Sequence, residues 1–390
     1  MTGAPRMTSS TRGPGRRRAA VVVVAVVCIA LLGACVPRPP GDFYAAPERL
    51  PYRRAGTVIW AEAIPAAPGY GALRVMYHSR DAEFRDRAVT GTIYYPTDRP
   101  PPGGWPVVSW AHGTSGLSSS CAPSRNGAAT GSYGLRAVVV ATDYVGLGPL
   151  GERHAYLSGP AEGHSVIDIV RAARRIPWVH AGRQWVTVGV SQGGHASLFA
   201  GELARRYAPE LDLRGVVAAA PGSNLTEIFP GDAQVVVDVV TVLALYGIAE
   251  DHPQIHPDDY VTPLLAEHAT VMDTGCLNDV AISLATVPHD QMFVHDPRTT
   301  EPARSVAVAN EPGHAPSAAP ILLVQGTADT TVVPARTEKL RGQLCAWHEP
   351  VAEVIVPGGT HDTAIRTANP QIGAWLADRL AGVAPPTTCS

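Results

Sequence analysis

The sequence predicts an α/β fold in which a mostly parallel central sheet is flanked by helices, with a helical cap inserted between two of its strands. Three observations predict it. Short β-branched runs alternate with helix-length segments between Val107 and Ala220. Two of these segments meet at Gly189-Val190-Ser191-Gln192-Gly193, with the strand-like Trp185-Val186-Thr187-Val188 before the turn and the helix-like Gly194 to Tyr207 after it. About a hundred residues, Pro221 to Pro320, then separate two core strands, and a connection of that length is not a loop.

The elements follow in chain order. Residues 1–34 hold Arg6, Arg12, Arg16, Arg17 and Arg18 with no acid, then the apolar run Ala19 to Leu32, then Gly33-Ala34-Cys35. That is the positive, apolar and small-residue order of an export signal, too short and too near the terminus for an ordinary membrane span. Leu32-Gly33-Ala34-Cys35 resembles a bacterial lipobox, in which Cys35 is acylated and becomes the new amino terminus. Residues 35–50, rich in Pro and Gly at their start, read as a tether, so the predicted localisation is the cell envelope, with plain secretion as the alternative. Leu73 to Ser79 and Ala88 to Pro96 read as an antiparallel pair opening the sheet, because β-branched and aromatic residues crowd a segment broken by the charged Arg80 to Arg87. Val107 to Ala111, Ala137 to Thr142, a helix from Gly163 to Arg175, the strand before Gly189, the helix Gly194 to Tyr207 and the strand Gly215 to Ala220 complete the first part of the core. The core is thus 51–221 and 320–390, and the cap is 222–319. Within the cap Ala233 to Ala249 is apolar on nearly every side apart from Asp238, Asp258 to Thr270 is amphipathic, and Asp296 to Ser317 reads as a return linker.

Chemistry collects at the carboxyl ends of the predicted strands. A sharp strand-to-helix turn holds Ser191 at the top of the sheet, with glycines where the backbone crosses itself closely. Asp329 follows the apolar run Pro320 to Gly326, and His361 follows Ala352 to Val356 in a glycine-bearing loop. The order serine, acid, histidine is that of the α/β-hydrolase triad, making Ser191 the nucleophile, Asp329 the acid and His361 the base. The strand Val107 to Ala111 runs into His112-Gly113-Thr114, a loop placed to supply one oxyanion amide at Thr114; the Gln192 amide, next after the nucleophile, supplies the other. His195, four residues past Ser191, reads as packing. His112 reads as shaping its loop, and Asp143 as ordering a turn through backbone hydrogen bonds.

Together, His112-Gly113-Thr114, Asp143-Tyr144-Val145-Gly146-Leu147-Gly148, the Ser191 elbow followed by Gly194, Gly326-Thr327-Ala328-Asp329 and Gly359-Thr360-His361 resemble the secretory lipase family of α/β-hydrolases. The resemblance implies hydrolysis of acyl lipid esters under a helical cap, and it covers most of the chain after the leader. Val190 stands where many members carry an aromatic residue, a departure that bears on the shape of the acyl pocket. Two other readings keep the same residues: a serine peptidase acting on short peptides, and a non-catalytic surface lipoprotein that binds lipid.

Charge and cysteines set the partners. There are 31 Lys and Arg against 34 Asp and Glu, five of the arginines lie in the leader, and Lys339 is the only lysine, so no basic stripe for nucleic acid exists. The expected partners are an acyl ester or lipid and, through Cys35, a membrane; the chemistry requires no cofactor and no metal. Of six cysteines, Cys28 leaves with the leader and Cys35 takes the lipid. Cys121, Cys276, Cys345 and Cys389 remain for two disulfides in an oxidising compartment. Three pairings are possible; the preferred one joins Cys345 to Cys389 at the tail, and Cys121 to Cys276 between the oxyanion loop's end and the cap.

Overall fold

A computed structural model describes residues 1–3, 36–127 and 131–389. Residues 4–34 of the leader and Cys35 lie outside the described residues. Within them, nine strands form one sheet: β1 (Val58–Ala63), β2 (Tyr70–Arg80), β3 (Asp86–Pro96), β4 (Trp105–Ala111), β5 (Val138–Thr142), β6 (Ala181–Val190), β7 (Asp212–Ala219), β8 (Ile321–Gly326) and β9 (Val351–Val356). Their order is β1-β2-β3-β5-β4-β6-β7-β8-β9. The β1/β2, β2/β3 and β3/β5 pairings are antiparallel, and every pairing from β5 to β9 is parallel.

The central strands of the parallel half are apolar on both faces because helices cover both. Val107, Val138, Val140 and Trp185 point to one side, where they pack with Val166, Ile169 and Val170 of α1 (Gly159–Arg175) and Ala196 and Ala200 of α2 (Gln192–Tyr207). Val108, Val139, Val186 and Val188 alternate to the other side, against Ala364 of α8 (His361–Thr367) and Ile372, Trp375 and Leu376 of α9 (Asn369–Leu380). The remaining core helix, α7 (Pro334–Ala346), buries Leu340 and Leu344 on β7 and β8.

Between β7 and β8 stand α3 (Gln234–Ile248), α4 (Pro263–Ala269), α5 (Leu277–Leu284) and α6 (Ala303–Ala309), a helical insertion with an apolar cluster of its own. Val242, Leu243, Leu245 and Ile248 of α3 meet Leu265, Met272, Val280 and Leu284 there, and the cluster rests on Leu117, Tyr156 and Leu157 of the core. None of the described helices is long and apolar enough to cross a membrane.

Five local departures from the expected elements have physical causes. Strand β1 precedes the predicted antiparallel pair, and Trp60 at its centre is buried with an indole N–H donated to the Phe43 carbonyl at 3.0 Å. Phe43 and Tyr44, inside the segment read as a tether, are packed with it against Met76. Helix α1 starts at Gly159 instead of Gly163; Gly159 looks like a loop residue in sequence, yet it is where the Phe199 ring of α2 packs onto α1. Helix α4 starts at Pro263 instead of Asp258, because Thr262 caps it by accepting the Leu265 N–H at 3.2 Å. The segment 296–317 is no mere linker: Ala303 and Val306 join the insertion's core, and that burial holds α6.

Both preferred disulfides are formed, Cys121–Cys276 and Cys345–Cys389, each with Cα atoms 5.5 Å apart. They close spans of 155 and 44 residues, so on chain-entropy grounds each contributes about 4–5 kcal/mol before strain.

Candidate active site

Ser191 sits between β6 and α2 with φ 58° and ψ −120°, a left-handed conformation that costs a serine on the order of 1–3 kcal/mol and therefore needs enforcement. The enforcement comes from both neighbouring strands. Ser191 N–H donates to Ala219 O at 2.9 Å at the end of β7, and Ser191 O accepts from Gly222 N at 3.1 Å and His195 N at 3.1 Å. A Cβ on Gly189 would lie 2.0 Å from Gly193 O, and one on Gly193 would lie 1.9 Å from Ala111 O at the end of β4, so both positions admit only glycine.

Asp329 and His361 come together from the ends of β8 and β9. The buried Asp329 carboxylate accepts the Thr331 and Val332 amides on Oδ1 at 2.8 and 2.9 Å, which leaves Oδ2 aimed at His361 Nδ1, 2.9 Å away. With Nδ1–H committed to the carboxylate, the ring's basic lone pair is on Nε2. His361 opens α8, behind the Thr360 cap, so its direction is set by a helix terminus and not by a free loop. Among the described residues no hydrogen bond joins Ser191 Oγ to this ring; the two side chains line one cavity of about 450 Å³ with Gly113, Thr114 and Val239.

The His112-Gly113-Thr114 loop packs on the nucleophile, since a Cβ built on Gly113 would be 3.8 Å from Ser191 Cβ. Thr114 Oγ1 is 2.9 Å from the Tyr156 hydroxyl. Gln192, the other oxyanion candidate, begins α2, where the helix dipole favours developing negative charge at its amide. His112 is buried, which lowers its pKa; Nδ1 lies 2.6 Å from Gly113 O and the ring lies against Tyr144, whose hydroxyl donates to His112 O at 2.9 Å. It shapes its loop. Asp143 does not order its own turn as expected: its carboxylate accepts from Thr90 Oγ1 at 2.6 Å and from Ser124 N at 2.9 Å and so fastens two other segments, while Thr142 Oγ1 takes the Tyr144 amide of the turn at 3.0 Å. His195 is fully buried, with Nδ1 2.7 Å from Glu162 Oε2 and Nε2 2.8 Å from Asn310 O.

On its other side Ser191 borders a second chamber of about 90 Å³, lined by Tyr156, Leu157, Leu225, Val236 and Val240. Leu157, Leu225, Val240 and Arg298 also line an apolar space of about 50 Å³ beneath the insertion, walled by Ala244, Leu245 and Ile248. The reading of the sequence missed Glu162, Tyr156 and Asn310, which surround Gln192 and His195. The one available signal was Glu162 itself, an acid on the same face as the buried Val166 and Ile169.

The pattern of the secretory lipase family matches residues 134–387. Lipase A of Candida antarctica, crystallised in its closed state, superposes with a TM-score of 0.75 at 17% identity, covering 91% of this chain and 89% of that one. The rice cell wall degrading esterase LipA of Xanthomonas oryzae gives 0.72 at 17% identity over 85% of this chain and 100% of its own. At such identities the likeness is one of fold. A protein of Mycobacterium tuberculosis named as a probable inactive lipase is 24% identical over 88% of this chain and 83% of its own length.

Proposed function

The chain belongs to the secretory lipase family, a class of lipases and esterases, and on that premise we propose that it is a serine-dependent carboxylic ester hydrolase acting on acyl lipids. The observation that carries the reading is the hydrogen-bonded Asp329–His361 pair standing over the cavity that also holds Ser191. His361 Nε2 takes the Ser191 proton as Oγ attacks the ester carbonyl, while the Thr114 and Gln192 amides receive the negative charge on the carbonyl oxygen. The alcohol leaves with that proton, and water, activated by His361 in turn, releases the acid from the acyl-enzyme.

Hydrolysis of p-nitrophenyl esters from C2 to C16, run beside a panel of peptide amides, tests the reading. The chambers beside Ser191 offer more apolar wall than an acetyl group can use, so kcat/KM is expected to rise from C2 to at least C6, by up to about 0.8 kcal/mol for each methylene buried. A steady fall with length would make this a small-ester esterase, and cleavage of amides alone would make it a peptidase. A non-catalytic lipid binder is the second reading, favoured by the name of the Mycobacterium tuberculosis relative. It requires that no ester of the series turn over and that a fluorophosphonate leave Ser191 unlabelled.

We further propose that the arginine-bearing leader directs export and that Cys35 carries the anchoring lipid. Replacing Cys35 by Ala is expected to move the protein from the membrane to the soluble fraction with specific activity unchanged, because the anchor lies upstream of the folded core. Retention of the variant on membranes after a high-salt wash would refute the lipid anchor.

A further inference from the structure

We propose that Glu162 is a positioning residue for the oxyanion hole: one buried carboxylate holds both the residue that follows the nucleophile and the loop that braces Thr114. The inference rests on the hydrolase reading of Ser191 and names a part of the site outside the triad.

Glu162 lies in the first turn of α1 and is fully buried. Its Oε1 accepts from Gln192 Nε2 at 2.7 Å and from Leu157 N at 3.0 Å, and its Oε2 accepts from His195 Nδ1 at 2.7 Å. Each bond fixes something next to the reaction. The first holds the side chain of the residue whose main-chain amide follows Ser191. Its orientation is dictated by chemistry, since the other Gln192 Nε2 hydrogen meets His154 Nε2 at 2.7 Å. His154 is held neutral, its pKa lowered by burial to about 4, and its Nδ1–H is donated to Val145 O at 2.8 Å, so Nε2 presents a lone pair. Two acceptors thus face the NH₂ end of Gln192, and its Oε1 has no partner among the described residues.

The second bond, from Leu157 N, fixes a segment whose Leu157 has φ 58°. This segment props the opposite half of the hole at two points. His154 N donates to Leu117 O at 2.9 Å, and the Tyr156 hydroxyl meets Thr114 Oγ1 at 2.9 Å. The third bond brings compensation. His195 faces two acceptors, Glu162 Oε2 and Asn310 O, so the pair shares a proton and a bare negative charge does not sit beneath an amide that must attract one. Asn310 also accepts the Gly159 N–H on Oδ1 at 2.8 Å, which ties the end of α6, and hence the insertion, to the same anchor.

The test compares Glu162→Ala with Glu162→Gln, with turnover divided by the sites titrated with a fluorophosphonate, so that loss of folded protein does not count. In Glu162→Ala, kcat per titrated site is expected to fall at least about tenfold with KM within about twofold, and the Ki of a trifluoromethyl ketone, whose adduct oxygen occupies the hole, is expected to rise by the same factor. Glu162→Gln is expected to return to within about threefold of wild type, because its amide oxygen still accepts from Gln192 and Leu157 while its NH₂ can donate to a neutral His195 Nδ1. Wild-type kcat per titrated site in Glu162→Ala overturns the proposal. Should that variant fail to fold, Gln192→Met removes the side-chain donor and keeps the main-chain amide. A kcat about tenfold lower is expected, and an unchanged one overturns the proposal equally. Wild-type protein that neither labels nor turns over esters refutes the hydrolase reading instead.

Discussion

Replacing Ser191 by Ala, or His361 by Ala, is expected to cut ester turnover at least about a thousandfold while the far-UV spectrum and melting temperature stay near those of the parent, because members of a triad act as a unit. The fold is expected to survive for a structural reason. Ser191 is held by its backbone, through Ala219 and Gly222, and His361 is only partly buried at the mouth of the cavity, so neither side chain supports the core. Loss of Ser191 Oγ should also relieve nothing, since the left-handed φ is imposed by the crossing of the glycines, and alanine pays the same strain. Near-native turnover by Ser191→Ala would sink the assignment, and labelling of the parent, but not the variant, by a fluorophosphonate is the independent check.

Gly193→Ala should do nearly as much damage by a different route. The added Cβ would sit 1.9 Å from Ala111 O and 2.7 Å from His112 O, both backbone atoms. Neither can yield, because Ala111 is paired in register with Gly189 on one side and Thr142 on the other. The helix must back away from β4 or the His112–Thr114 loop must move, and either displaces a proposed oxyanion amide. Overpacking of this kind costs about 1–3 kcal/mol or more, and a misplaced oxyanion donor costs about a hundredfold or more in kcat. A thermal melt and active-site titration on Gly193→Ala measure the two separately; a variant with parental melting temperature and kcat would show that the elbow is looser than the close approach requires.

What could be read from the sequence divides according to how local its causes are. Ser191, Asp329 and His361 each follow an apolar run by a few residues, so a strand-end position could be assigned from a window of about ten residues, and the structure brings Asp329 and His361 into contact. The four cysteines left after Cys28 and Cys35 allowed three pairings, and the preferred one, tying the tail to the body and the oxyanion loop's end to the cap, is the one formed. Strand β1 was illegible because Trp60 is buried by Phe43 and Met76, neither adjacent in sequence. Helix α6 was hidden in a segment rich in Pro, Ala and charge, and is held by Ala303 and Val306 buried in the insertion's apolar cluster. The Glu162 anchor draws on residues 154–157, 162, 192, 195 and 310, so no local pattern could announce it; only the oddity of an acid on the buried face of α1 remained visible.

The Cys121–Cys276 link makes the mouth of the cavity asymmetric in a way that matters to anyone reshaping it. Cys276 caps α5, and Leu277 N donates to Ser115 O at 2.9 Å, so the wall formed by Leu277, Asn278 and Ala281 is joined to the loop beside Ser191 by a covalent bond and a hydrogen bond one residue apart. The facing wall, Val235, Val236 and Val239 at the start of α3, has no covalent fixture among the described residues, only the Ala233 N–H donated to Thr330 O at 3.4 Å beside it, and Val235 is half exposed. The aperture therefore behaves as a frame with one fixed jamb. A bulky ester is expected to gain room at the valines of α3, where smaller side chains should raise its turnover, whereas trimming Leu277 on the disulfide-held side is expected to change it less.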